Sequence, residues 1–501
     1  MSGNKMNQFR RKISLLLAII AVSALTAQAQ KRGLAYGYNS PEDLAILSPA
    51  ISWWYNWSEA PEATVANVFG DYGFEFVPMT WNGSFNETKL RGFLANHPET
   101  KYLLAFNEPN FIAQANMTPS AAAAQWPRLE AIADQYNLKL VSPAVNYCGQ
   151  CVTENGITYT DPFKYLDDFF TACPGCRVDY IAAHCYMNTV SAIQWYVGQY
   201  KKYQKPLWLT EFAGWEPNGN IKNVNDQINF MIGAVDMLET DTSVFRYSWF
   251  IGRGSGITTY PYIDILGANG QLTVLGDVYK QMPVHDTSQV LEIPGTIQAE
   301  NYNTMSGILL EKTADVSGFA DVGYIAAGDW LEYKINVSAT ADYDIRFRVA
   351  STKACSLNLL VDGVNSLSQS FPNSNGWQNW KTYINKISLT TGIHTLRLKA
   401  VTDGFNINWI HIGDGAAAVP ETKEADKGFN VFPNPGNGIF TIQTTQKVDK
   451  LLVNNLLGER VADLQFSTTM DLSYLFSGMY ILTATDKEGN VVSTKRISVV
   501  K

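Results

Sequence analysis

The sequence predicts an α/β TIM (β/α)8 barrel followed by a β-sandwich of the jelly-roll kind and a small C-terminal β-sandwich. Between Lys31 and Pro283 eight short apolar runs alternate with longer amphipathic segments. Eight β-α units in about 250 residues is the rhythm of a closed parallel barrel. Helical periodicity then stops at the polar stretch Val284–Gln289, and residues 289–414 alternate apolar and polar positions between turn signals, the pattern of antiparallel sheets. A second polar stretch, Gly413–Gly428, leads into residues 429–501, which alternate again. A doubly wound open sheet is the competing reading of the first region, but no glycine-rich phosphate loop follows its first strand.

Residues 1–29 read as a secretory signal. Lys5, Arg10, Arg11 and Lys12 form its basic end, Ile13–Leu25 its apolar stretch and Ala27-Gln28-Ala29 its cleavage site. The apolar stretch is shorter than the ~20 residues a spanning helix needs, and no other segment is apolar enough for a stable membrane span.

The eight runs of the barrel region (31–283) are Gly33–Tyr38, Ile51–Trp57, Phe74–Trp81, Tyr102–Glu108, Lys139–Asn146, Asp179–Tyr186, Leu207–Trp215 and Phe245–Gly252. Pro119–Tyr136, Pro162–Thr171, Val190–Tyr203 and Val224–Glu239 carry helical spacing with polar faces. In the middle region Trp330–Val337 and Tyr343–Val349 alternate as strands, with Asp362-Gly363 and Asp403-Gly404 as turns. In the tail Pro433–Gly436 and Glu488–Asn490 mark turns.

Composition excludes some functions. The 501 residues are 46% hydrophobic and 17% charged, with a net charge of -8. That supports large cores and rules out a disordered polymer or a phosphate-tracking surface, so nucleic acid is not a partner. Thirteen Trp and 25 Tyr suit neutral, stackable ligands such as sugars. Cys148/Cys151 and Cys173/Cys176 have the spacing of zinc knuckles, but export favours two disulfides tying these loops together. Spacing does not set their connectivity. Cys185 and Cys355 read as buried small residues.

Barrel active sites lie at the C-terminal ends of strands. Run four ends in Asn107-Glu108-Pro109-Asn110 and run seven in Thr210-Glu211-Phe212, so each brings one carboxylate to the rim, and the two strands face each other across a closed barrel. Glycosidic cleavage needs two such groups, one to protonate the leaving oxygen and one to attack the anomeric carbon or activate water. Run six adds His184 and Tyr186, the latter placed to keep a nucleophilic carboxylate ionised. Trp53, Trp54, Trp57, Trp81, Trp215 and Trp249 stand at or beyond strand ends as stacking candidates.

The Asn-Glu-Pro-Asn at 107–110, Trp-Leu-Thr-Glu-Phe at 208–212, Val-Asp-Tyr-Ile-Ala-Ala-His-Cys-Tyr at 178–186 and Tyr-Ser-Trp-Phe at 247–250 resemble glycoside hydrolase family 128, endo-β-1,3-glucanases, over nearly all of Gly33–Pro283. The resemblance implies Glu108 as acid/base, Glu211 as nucleophile of a retaining double displacement, and Asn107 against the sugar beside the scissile bond. His184, Tyr186, Trp215 and Trp249 are the further substrate-binding candidates, and no cofactor is expected for catalysis. Cys185 departs from the His-Trp-Tyr usual at strand six and is expected to face the barrel wall.

In the middle region Gln298-Ala299-Glu300-Asn301-Tyr302, Gly323–Leu331, Gly376–Trp380 and Phe405–Ile410 resemble carbohydrate-binding module family 6. That implies a clamp of Tyr324 and Trp377, a polar contact from Asn406, and a structural calcium on Gln298 and Glu300; Trp330, Trp380 and Trp409 read as core. In the tail, Val431-Phe432-Pro433-Asn434-Pro435 and Leu475–Ile481 resemble the type A sorting domain of type IX secretion cargo. The expected partners are thus a β-glucan and the type IX machinery, at the cell surface or outside. A glycanase for another β-glycan backbone, or a noncatalytic surface glycan-binding protein, are the alternatives; the latter has no need of both Glu108 and Glu211.

Overall fold

Every one of the eight apolar runs contributes a strand to one parallel, curled sheet. They are β1 (Arg32–Ala35), β2 (Trp53–Tyr55), β3 (Glu75–Phe76), β4 (Tyr102–Leu104), β5 (Lys139–Val145), β6 (Tyr180–Cys185), β7 (Leu207–Phe212) and β8 (Val244–Trp249), in the order β3-β2-β1-β8-β7-β6-β5-β4. The outer strands meet just past β3, where Met79 bridges to Leu104 and Leu104 N donates to Pro78 O at 3.0 Å. The computed structural model describes residues 31–215, 219–254, 262–316, 318–413, 429–434, 436–455, 460–475, 478–487 and 490–499. The expected signal and nearly all of the second linker lie outside the described residues.

Helices fill the connections: α1 (Pro41–Leu47), α2 (Glu87–Asn96), α3 (Pro119–Tyr136), α4 (Pro162–Ala172), α5 (Val190–Gln199), α6 (Val224–Thr240) and α7 (Val274–Gln281). Their starts are written in the sequence. Ser40, Thr118 and Asp161 each cap a helix whose first residue is proline, and Thr189, Asn223 and Thr273 cap the last three. A side-chain oxygen there satisfies an orphan N–H, and proline at the first position loses no hydrogen bond.

Strand alternation divides the core in two. Trp53, Tyr55, Met79, Val141, Ala182 and Trp208 fill the sheet interior, while Trp54, Leu103, Leu140, Ile181, Leu209 and Tyr247 pack outward under the helices. Near the strand starts the Arg246 guanidinium lies 4.8 Å from the ring centres of both Trp208 and Tyr102 and pairs with Glu75 at 2.5 Å, closing that end of the interior.

Residues 291–413 form two six-stranded, mainly antiparallel sheets. One runs Leu291–Ile293, Trp330–Val337, Gly392–Ala400, Cys355–Val361, Val364–Phe371, with Thr304–Ser306 also pairing Trp330–Val337; the other runs Leu309–Lys312, Ala320–Gly323, Phe405–Gly413, Ala341–Ser351, Gly376–Leu389, with Gly295–Gln298 also pairing Phe405–Gly413. Asp362 and Gly363, with φ of 50° and 82°, make the two-residue hairpin turn, a conformation that suits an Asp-Gly pair. This module is seated on the barrel. Tyr302 and His285 reach the buried Asp236 of α6 at 2.5 and 2.8 Å, and Lys312 reaches Asn225 at 2.7 Å. The tail has a three-stranded and a four-stranded sheet around its own core of Phe440, Val453, Leu482 and Ile497.

The disulfides are Cys148–Cys151 and Cys173–Cys176. Each closes its own Cys-x-x-Cys turn, so they do not tie the two loops to one another as expected from sequence.

Candidate active site

Glu108 and Glu211 do converge. Glu108 follows β4 with φ at 41° and its N–H on Ala144 O at 2.8 Å; Glu211 lies within β7, and both are buried. A non-glycine residue held at positive φ costs on the order of 1–3 kcal/mol, which the surrounding strand-end hydrogen bonds sustain. His184, at the end of β6, stands between the two carboxyls, with Nδ1 2.9 Å from Glu108 Oε1 and 3.3 Å from Glu211 Oε2. One oxygen or nitrogen of each of the three lies within 4.8 Å of the others.

The donor sets of the two carboxyls differ. Glu211 Oε1 accepts from Tyr55 OH at 2.9 Å and Trp57 Nε1 at 2.7 Å, and Oε2 accepts from Tyr186 OH. Among the described residues Glu108 accepts at Oε1 only, from His184 and from Asn146 Nδ2 at 3.5 Å. Burial raises the Glu211 pKa, aided by the Glu108 charge, against the His184, Tyr186 and Trp57 contacts. Burial disfavours charge on His184, but the charges of Glu211 and Glu108 outweigh it and its pKa is raised. Burial and the Glu211 charge hold the Tyr55 and Tyr186 hydroxyls far above their usual pKa, so both remain donors.

Above the carboxyls opens a cavity of about 640 Å³ lined by Trp57, Trp81, Asn107, Tyr186, Trp215 and Phe250 among others. Asn107 donates to Gln114 at 3.4 Å while its buried Oδ1 accepts nothing among the described residues. Trp249 is a correction. It is fully buried, donates Nε1 to Ile263 O at 2.8 Å and packs on Phe212 and Tyr279. It faces outward with Tyr247, and the next residue, Phe250, takes the cavity position. Trp53 and Trp54 are likewise fully buried, not stacking surfaces. Tyr55, Asn146 and Phe250 escaped the sequence reading; Tyr55 was findable, being two residues before Trp57 on the run that reaches the rim.

In the module, Tyr324, Trp377 and Asn406 line one cavity. Tyr324 and Trp377 are exposed, while buried Asn406 donates to Trp377 O at 3.1 Å and Glu311 Oε1 at 2.5 Å. Elsewhere in the module, Gln298 Oε1, Glu300 Oε2 and Asp321 Oδ1 are buried and accept nothing among the described residues. A Cβ on Gly318 would lie 3.6 Å from Gln298 Oε1 and from Ala320 O. Oxygen-only donors of this kind fit a hard divalent cation. Burial pushes Glu300 and Asp321 up to about 8, which is the penalty a cation would relieve.

Residues 33–279 match the glycosyl hydrolase catalytic core, residues 298–414 the carbohydrate binding module (family 6), and residues 430–500 the secretion system C-terminal sorting domain. The chain is 43% identical to a family 128 (subgroup II) endo-β-1,3-glucanase from Sorangium cellulosum, over 50% of this chain and 98% of that one, with a TM-score of 0.45. It is 38% identical to a family 6 module of Cellvibrio mixtus lichenase 5A solved with cellotriose, over 24% of this chain and 97% of that one, with a TM-score of 0.24. Alkali-sensitive linkage protein 1 of Schizosaccharomyces pombe is 28% identical over 268 residues, 50% of this chain and 44% of its own length. The chain thus spans less than half the length of the curated relatives it matches. The sorting domain marks it for type IX export, to the cell surface or beyond, and no helix among the described residues is long and apolar enough to cross a membrane. Sequence identity of 43% across 98% of the Sorangium enzyme means that the chain belongs to glycoside hydrolase family 128.

Proposed function

We propose that the chain is an exported, retaining endo-β-1,3-glucanase acting on glucans of the laminarin and curdlan type. The spacing of the carboxyls carries this reading: oxygens of Glu108 and Glu211 approach within 4.8 Å. A retaining pair stands about 5–5.5 Å apart, whereas an inverting pair needs about 6.5–9.5 Å to admit water. The unequal donor sets assign the roles. Glu211, with donors on both oxygens, is the carboxylate that attacks the anomeric carbon. Glu108, whose Oε2 accepts nothing among the described residues, carries the proton given to the departing glycosidic oxygen. Glu108 then takes a proton from the water that hydrolyses the glycosyl-enzyme.

Trp57, Trp81 and Trp215 supply flat faces for glucosyl rings and Asn107 Oδ1 an acceptor for a hydroxyl. In the module, Tyr324 and Trp377 clamp a sugar, Asn406 holds the Trp377 backbone in place beside it, and Gln298 and Glu300 hold a structural calcium. The test is reducing-end release from laminarin, curdlan and barley glucan by wild type and Glu211→Gln, with the first anomer read by NMR. Activity surviving in Glu211→Gln, or first release of the inverted anomer, sinks the double displacement.

A further inference from the structure

The cavity that holds Tyr324 and Trp377 is not confined to the module. Of its lining, Leu309–Lys312, Tyr324, Trp377, Gln378 and Asn406 come from the module, but the opposite wall is Val190 and Ser191 of α5 and Asn229 and Gly233 of α6. Its volume is about 790 Å³, comparable with the catalytic cavity at about 640 Å³. Ser191 and Asn229 are exposed to it and offer a hydroxyl and an amide, groups suited to a neutral polyol.

Two further observations bear on what this cavity does. The β6–α5 connection joins it to the catalytic site: Tyr186 and Met187 line the catalytic cavity and Val190 and Ser191 the other. Three residues of chain span at most about 11 Å, roughly the length of two sugar rings. The seat is also fixed. Asp236 of α6, buried, takes both Tyr302 and His285, and Lys312 bonds Asn225. From the same strand as Lys312, Glu311 accepts from Asn406 and Gln378, the residues flanking Trp377 in space and sequence. A module serving as a tethered anchor has no need to direct its clamp at the enzyme carrying it.

We propose that the barrel completes the module's clamp, with α5 and α6 forming one wall of a composite glucan cleft that continues the catalytic cavity, so that a single soluble glucan strand is held by both. This rests on the glucanase and clamp readings above and adds to them that the module supplies distal subsites in cis. The test uses the full chain on soluble laminari-oligosaccharides, comparing kcat/KM for a decasaccharide and a tetrasaccharide. Trp377→Ala removes one side of the clamp, and Asn229→Trp fills the cleft from the barrel side; both positions are exposed, so neither change empties a core. Each is expected to lower the long-to-short ratio about tenfold, the loss typical of an aromatic anchor. Wild-type chain-length dependence in Asn229→Trp, with Trp377→Ala impaired only on insoluble curdlan, makes the module a separate anchor and overturns the composite cleft alone. Wild type that cleaves no laminari-oligosaccharide overturns the glucanase reading as well.

Discussion

Tyr186 and Trp215 stack face to face, with ring centres 3.9 Å apart and planes 7° from parallel. The stack fixes the phenol whose hydroxyl donates to Glu211 Oε2, so one aromatic surface both lines the cavity and holds the Glu211 carboxyl. Glu211 already has a pKa raised by burial. Removing a donor that favours its anion raises it further. Tyr186→Phe is therefore expected to move the acidic limb of kcat/KM up by about one pH unit, since a hydrogen bond to a charged group contributes about 1.5–3 kcal/mol. The pH–rate profile on laminarin checks it, and an unmoved acidic limb removes Tyr186 from that role.

His184 gives a second, opposite pH signature. Its pKa is raised because the Glu211 and Glu108 carboxylates outweigh the burial that opposes its charge. A group raised above its unfolded value of about 6.5 adds stability that is complete below that pH and is lost as pH rises through the folded pKa. His184→Gln is expected to cost about 3 kcal/mol near pH 6, as breaking a buried ion pair does, with the gap to wild type narrowing toward alkaline pH. Denaturant melts of both proteins from pH 6 to 9 measure it; a gap that widens with pH contradicts the imidazolium between the carboxyls.

The eight strands and both carboxyls were legible because each is local: an apolar run has a visible end, and Glu108 and Glu211 stand at such ends. Which alternate residues face inward is not local. On β8 the pairing with β7 shifts register between Tyr247 and Trp249, so the sequence did not reveal that Phe250, not Trp249, enters the cavity. On β2, Trp53 and Tyr55 face the interior and Trp54 the helices, although the three are equally apolar in the chain. The composite wall from α5 and α6 was illegible too, since it depends on how the module sits on the barrel.

That reversal on β8 separates two substitutions. Trp249, fully buried among Phe212, Phe230 and Tyr279, should cost about 3–5 kcal/mol of stability as Trp249→Ala. Phe250 lines the cavity and stands edge-on to Tyr186, Trp215 and Trp57 at 5.6, 5.2 and 6.0 Å. Phe250→Ala is expected to raise KM several-fold by releasing these platforms, with a smaller loss of stability. Thermal melts and laminarin kinetics on both variants distinguish them, and an intact melting temperature in Trp249→Ala would return that side chain to the substrate.

Cation binding in the module makes the last prediction. Glu300 Oε2 and Gln298 Oε1 are buried without a hydrogen bond among the described residues, and a buried oxygen left this way costs about 1–3 kcal/mol unless something else satisfies it. A bound calcium would do so. Because binding to the folded state alone stabilises by RT ln(1 + [L]/Kd), calcium at a hundredfold excess over Kd contributes about 2.7 kcal/mol. Chelation should therefore lower the melting transition assigned to the module, and added calcium should restore it. Glu300→Gln should melt low and respond to neither, because the amide keeps the shape but not the charge that a hard cation prefers. A wild-type transition indifferent to chelator and calcium would mean that these oxygens serve no cation.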